Sequence, residues 1–229
     1  MLAPSGAMPT ATAPHQDTPV AGAIFTATPI ATATDTPGAP SPQPTAVPTL
    51  CAPGFSDVQP SDWFYGPVQW MACNGFVSGY ADHTFRPGNN ATRSQMAKIV
   101  VLAARWPPQE PQTPTFSDVL PGSAFYSYVE TAAAHGIVSG YADGTFRPGN
   151  NVTRGQLCKI IVLARGWPLV SPAVPTFSDV PPSSAFYAYV ETAVRQGIVS
   201  GYADGTFKPG NLATRAQLSK IIHAAFMIP

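Results

Sequence analysis

Nine of the twelve lysines and arginines in this chain occupy three positions, each repeated three times at a spacing of 61 residues. Arg93, Arg154 and Arg215 stand second in the box Thr-Arg-x-Gln. Arg86, Arg147 and Lys208 stand just before Pro-Gly, and Lys98, Lys159 and Lys220 follow a few residues after the box. The threonine and glutamine of the box suit a helix start, so each arginine falls in a first helical turn. A positive charge there opposes the helix dipole by about 0.3–1 kcal/mol, and stability alone would favour an acid. A guanidinium beside free helix amides is the chemistry of anion recognition. The competing reading pairs each arginine with a repeated acid, either Asp57/Asp118/Asp179 or Asp82/Asp143/Asp204. The lysines are equally compatible with a solvated helix face.

Other chemistries find little support. His15, His83, His135 and His223 occupy unrelated positions and suggest no nucleophile–base set, metal spacing or cofactor. Each Ala-Asp-x-Thr loop offers one acid, far short of a calcium-loop ligand set. Zero net charge and 10% charged residues give no electrostatic case for nucleic acid or an anionic membrane. The composition therefore points to a non-catalytic module.

The elements that would position the basic residues are legible from the repeat. Phe-Ser-Asp-Val opens each unit at Phe55, Phe116 and Phe177. Phe125, Tyr128, Val129, Ala132 and Ala133 then fall on one helix face, with Gly136 as its C-terminal stop, matched by Gly75 and Gly197. A turn follows in which Gly144 and Gly205 meet a positive φ, and His83 is a turn variant of that glycine. The box caps a second helix whose stripe reads Met96, Ile99, Val100, Ala103, repeated as Leu157, Ile160, Ile161, Ala164 and as Leu218, Ile221, Ile222, Ala225. One helix-loop-helix unit buries too little surface to be robust, whereas three can share a core. The expected fold is mainly α, with units over 51–111, 112–172 and 173–229.

Residues 1–50 are a different material: Ala, Thr and Pro fill 31 of the 50 positions. Such a segment propagates neither helix nor sheet and reads as a disordered stalk or linker, a candidate for O-glycosylation. No apolar run reaches the ~18 residues of a membrane span. Met1 is followed by LAPSGAMPTATAP, which has no signal-peptide pattern, so the expectation is a fragment, a mature form or export not encoded here. Of the three cysteines, Cys51 and Cys73 would bridge in an exported protein; unbonded buried thiols are the alternative.

The order Phe-Ser-Asp-Val, aromatic helix, Gly-Ile-Val-Ser-Gly-Tyr-x-Asp-Gly-Thr-Phe-x-Pro and Thr-Arg-x-Gln resembles the S-layer homology (SLH) domain, in three tandem copies over roughly 55–228. The resemblance implies a pseudo-threefold arrangement whose inter-repeat grooves hold a secondary cell-wall polysaccharide, often through a pyruvate-ketal carboxylate. It implies an extracellular, wall-bound anchor whose partner is that polymer or another peptidoglycan-linked one. On this reading the carboxylate meets Arg93, Arg154 and Arg215. Asp57, Asp118 and Asp179 line the sugar pocket with Gly79, Gly140 and Gly201, an aromatic such as Trp63 gives apolar contact, and Lys98, Lys159 and Lys220 add charge. Two departures stand out. The family's motif usually ends Thr-Arg-Ala-Glu, and all three copies here end in Gln, which keeps the cap and removes a carboxylate. The family's tryptophan is present as Trp63 and replaced by Ala124 and Ala185, beside Phe64, Phe125 and Phe186. Lateral assembly or protein binding by the same surface is the rival to glycan recognition. Glycan recognition also predicts that Arg154→Ala folds normally and loses wall binding.

Overall fold

A computed structural model describes residues 51–227 of the chain; the expected stalk over 1–50 lies outside them. Six helices run through these residues: α1 Tyr65–Cys73, α2 Arg93–Ala103, α3 Tyr126–Ala134, α4 Arg154–Arg165, α5 Tyr187–Arg195 and α6 Arg215–Phe226. Among the described residues there is no strand, and pairing is limited to three isolated bridges. The odd-numbered helices are short, nine residues each, and start without a side-chain cap at Phe64, Phe125 and Phe186. Helices of that length do not persist alone in water, so packing holds them. They stop where Gly75, Gly136 and Gly197 take φ of 72°, 68° and 69°. The even-numbered helices begin in full capping boxes at Thr92, Thr153 and Thr214, as the sequence predicts.

The even helices pack on one another in the centre, and each carries an outer helix: α3 on α2, α5 on α4, α1 on α6. Every outer helix thus covers the inner helix of the preceding repeat, and the first repeat closes onto the last. Three backbone hydrogen bonds trace the same ring. The Ala91 N–H donates to Ala213, Ala213 to Val152 and Val152 to Ala91, each at 2.9 Å. The predicted stripes meet at the centre, where Val100, Ile161, Leu157, Leu218 and Ile222 are buried in one continuous core. Phe146 and Phe207 are buried against Phe116 and Phe177 within that core, whereas Phe85 and Phe55 pair in a small cluster of their own. Those contacts explain one set of glycines. A Cβ on Gly79 would lie 2.5 Å from the Phe55 ring, and on Gly140 2.7 Å from Phe116.

The first repeat departs from the others where it begins. In repeats two and three, Glu130 and Glu191 accept from the backbone N–H and hydroxyl of Thr115 and Thr176, tying the incoming segment to the outer helix. Gln69 and Gly54 occupy those places in repeat one. There the tie is covalent: Cys51 and Cys73 form a disulfide, while Cys158 is a free, buried thiol. Trp70 and His223 meet edge to face, 5.2 Å between centroids, where α1 closes onto α6.

Candidate functional site

The repeated arginines reach out of their own repeat. Arg93 donates from Nε to the Phe146 carbonyl at 2.8 Å and from Nη2 to Ser139 at 3.0 Å. Arg154 does the same to Phe207 at 2.9 Å and Ser200 at 3.4 Å, and Arg215 to Phe85 at 2.8 Å and Ser78 at 3.2 Å. Each guanidinium lies 4.4 Å from the centroid of the phenylalanine whose carbonyl it meets. The side chains are only 6–8% exposed. Burial lowers the pKa of Arg93 and Arg215, an effect a nearby tyrosine and aspartate oppose, and a guanidinium stays charged regardless.

This geometry corrects three sequence expectations. The first amides of the inner helices are not free. Arg93, Arg154 and Arg215 donate their backbone N–H to Asn150, Asn211 and Asn89, and Ser94, Gly155 and Ala216 donate to Pro148, Pro209 and Pro87. Nor do the arginines pair with a repeated acid. Asp82, Asp143 and Asp204 bridge instead to Arg86, Arg147 and Lys208 at 2.9–3.0 Å. Their pKa values fall to about 2, chiefly through hydrogen bonds from Thr84, Thr145 and Thr206 and then from those cations. Finally, each arginine hydrogen-bonds two carbonyls of the next repeat, which replaces the expectation that Arg154→Ala folds normally with an expectation of lost stability.

Asp57, Asp118 and Asp179 also serve the backbone. Asp57 accepts from the N–H of Phe85 at 2.6 Å and Arg86 at 2.7 Å, and Asp118 and Asp179 repeat the pattern. The acceptor is needed because Arg86, Arg147 and Lys208 sit at φ near 58°, a conformation disfavoured for a side-chain-bearing residue. Sequence reasoning predicted the positive φ of Gly144, Gly205 and His83, and all three have it. It missed these three basic residues, because no glycine or asparagine marks the turn.

Three related grooves lie between repeats. The first, ≈ 200 Å³, has Arg154, Ser200, Gln217, Lys220, Ile221 and Trp63 among its lining residues. The second, ≈ 160 Å³, has Arg93, Ser139, Gln156, Lys159, Ile160 and Phe186. The third, ≈ 130 Å³, has Arg215, Ser78, Gln95, Lys98, Ile99 and Phe125. Each combines the arginine of one repeat with the Ser loop, Gln and Lys of the next and an aromatic from the repeat after. No carboxylate lines any of them. Of the predicted residues, all three arginines, all three lysines, Trp63 and Gly201 line a groove; Asp57, Asp118, Asp179, Gly79 and Gly140 do not. Sequence reasoning treated the box glutamine as a cap alone. Its Oε1 does accept the cap N–H, at 3.1–3.2 Å, while the residue also lines the groove. Its 61-residue repeat carried the signal, but the capping role already accounted for it.

The S-layer homology domain model matches residues 54–97, 115–158 and 176–219, more than half of the chain. The chain belongs to the S-layer homology domain family. Among curated relatives of this SLH chain is cell surface glycoprotein 1 of Acetivibrio thermocellus, 30% identical over 162 residues, 66% of this chain and 7% of that protein. An endoglucanase of Bacillus sp. strain KSM-635 is 28% identical over 178 residues, 73% of this chain and 18% of that enzyme. The cellulosome-anchoring protein of Acetivibrio thermocellus is 25% identical over 154 residues, 65% of this chain and 34% of that protein. The SLH chain thus spans between 7% and 34% of these relatives. No helix among the described residues is long and apolar enough to cross a membrane.

Proposed function

We propose that the chain is a non-catalytic cell-surface anchor whose inter-repeat grooves hold an acidic cell-wall polysaccharide. One observation carries this reading: in a chain with as many acids as bases, each groove is lined by an arginine and a lysine and by no carboxylate. The buried guanidinium is fixed by two carbonyls, so it binds an anion without losing side-chain freedom. The lysine, with its stem along the inner helix, supplies an adjustable second charge. The Gln amide and Ser loop are suited to sugar hydroxyls, and the isoleucines and aromatics to the apolar face of a pyranose. A pyruvate-ketal carboxylate on an amino sugar fits this set. The names of the relatives, a cellulosome-anchoring protein and a cell surface glycoprotein, support a location at the cell surface. The disulfide is in keeping with an oxidising compartment.

The test is sedimentation of the full chain with bacterial sacculi, intact and after stripping of the covalently attached secondary polymer. The lysines are the cleaner probe, because the arginines also hold repeats together. Binding lost on stripping, and reduced about tenfold or more in the Lys98/Lys159/Lys220→Ala protein, is the expected result. Binding indifferent to both would replace glycan recognition with a protein partner or lateral assembly.

A further inference from the structure

The three grooves share arginine, lysine, serine and glutamine but differ in their aromatic. Two positions of the repeat exchange roles. Position 63 is Trp, and its equivalents are Ala124 and Ala185; position 67 is Pro, and its equivalents are Tyr128 and Tyr189. Where the tyrosine is present, it lies half-buried on the core below the groove lysine, with Lys98 5.3 Å from Tyr128 and Lys159 5.7 Å from Tyr189. Phe125 and Phe186 in the same grooves also pack on the core, and Phe186 presses on the backbone of Gly155, where a Cβ would sit 2.8 Å from its ring. Trp63 behaves otherwise. It is 57% exposed, packs edge-on against Phe64 at 5.1 Å, and has Lys220 5.4 Å from its ring. An indole carries a large apolar surface, and this one is left open beside a cation in the most spacious of the three inter-repeat grooves.

We propose that the Arg154–Lys220–Trp63 groove is the primary binding site and takes the apolar face of a sugar ring on the Trp63 indole, the two phenylalanine grooves making secondary contacts. The proposal rests on the glycan reading above. Arg154 and Lys220 would then hold the acidic substituent of the residue stacked on the indole. The groove joins repeats two, three and one, so the primary site straddles the closure of the ring and is incomplete in any single repeat.

The experiment compares sacculus binding of the full chain with Trp63→Ala and with Lys220→Ala, Lys98→Ala and Lys159→Ala, one lysine from each groove. Alongside it, 5-fluorotryptophan-labelled protein is titrated by ¹⁹F NMR with polymer released from sacculi by mild acid. Four tryptophans give four resonances, and among them only Trp63 lines a groove. A loss of about tenfold or more for Trp63→Ala and Lys220→Ala, only about two- to threefold for Lys98→Ala and Lys159→Ala, and a shift confined to the Trp63 resonance is the expected pattern. Equal losses in the three lysine variants, or a Trp63 resonance unmoved while the protein still sediments, overturns the inequality and leaves the anchor intact. A full chain that sediments no better with intact than with stripped sacculi removes the glycan reading and this proposal together.

Discussion

Arg154 donates to the carbonyl oxygen of Phe207 at 2.9 Å, across 53 residues of chain, while its guanidinium covers the ring of the same phenylalanine. One side chain thereby stitches repeat two to repeat three and presents a charge to the groove between them. Arg154→Ala removes two charged hydrogen bonds, each worth about 1.5–3 kcal/mol, and leaves their carbonyls unpaired. The expected result is a loss of about 2–4 kcal/mol in denaturant unfolding together with weaker wall binding. Unchanged stability would show that the interrepeat bonds contribute nothing.

The glutamines separate the two roles. Gln95/Gln156/Gln217→Glu keeps each capping box and places an acid at a helix N-terminus, where it is favoured. It also sets a carboxylate in every groove. Because the family's usual motif carries Glu at this place, we expect thermal stability to hold or rise slightly and sacculus binding to change by less than about threefold, read by differential scanning calorimetry and sedimentation on the same protein. A loss of about tenfold or more would show that the grooves of this chain need the neutral amide.

His223 lies on the seam between α6 and α1, and burial lowers its pKa from 6.5. A histidine held neutral in the fold contributes stability above its unfolded pKa and loses it as pH falls through the folded one. The melting temperature is therefore expected to fall from about pH 6.5 towards 5, and His223→Val to flatten that slope. Valine is the residue at the equivalent positions, Val101 and Val162. Asp82, Asp143 and Asp204, held to about 2, stay charged across this window and act only at lower pH. A wild-type slope retained in His223→Val would assign the effect elsewhere.

Reduction of the Cys51–Cys73 disulfide, with a sequence separation of 22, should cost about 3 kcal/mol through the loop entropy restored to the unfolded chain. Burial pushes the Cys158 thiol up to about 12, so a thiol reagent should find nothing in the native oxidised protein and one group after unfolding. A native thiol that reacts promptly would place Cys158 outside the core.

Much of the fold was legible because it is local. Capping boxes, C-terminal glycines and the inner-helix stripes each lie within a dozen residues, and repetition confirmed them three times over. The site was less legible, because it depends on which repeat lies next to which. Arg93 reads as a free anion-binding cation or the partner of a repeated acid until Phe146, 53 residues away, is seen to supply its acceptor. Asp57 likewise reads as a ligand residue until the strained Arg86 beside Phe85 claims its carboxylate. Gln95 looks fully explained by its cap, and only the approach of Phe125 and Arg215 makes it part of a groove. Residue types alone do not reveal these long-range satisfactions of backbone groups.

The ring Ala91–Ala213–Val152 fixes a number as well as a shape. An open solenoid gains or loses a unit and remains the same kind of object, since its ends are merely capped. Here every outer helix needs the inner helix of a predecessor, and the first finds it in the last. Deleting the third unit strands α1 without its seat on α6. A two-unit piece would carry two complementary unsatisfied faces, ready to exchange partners with another copy.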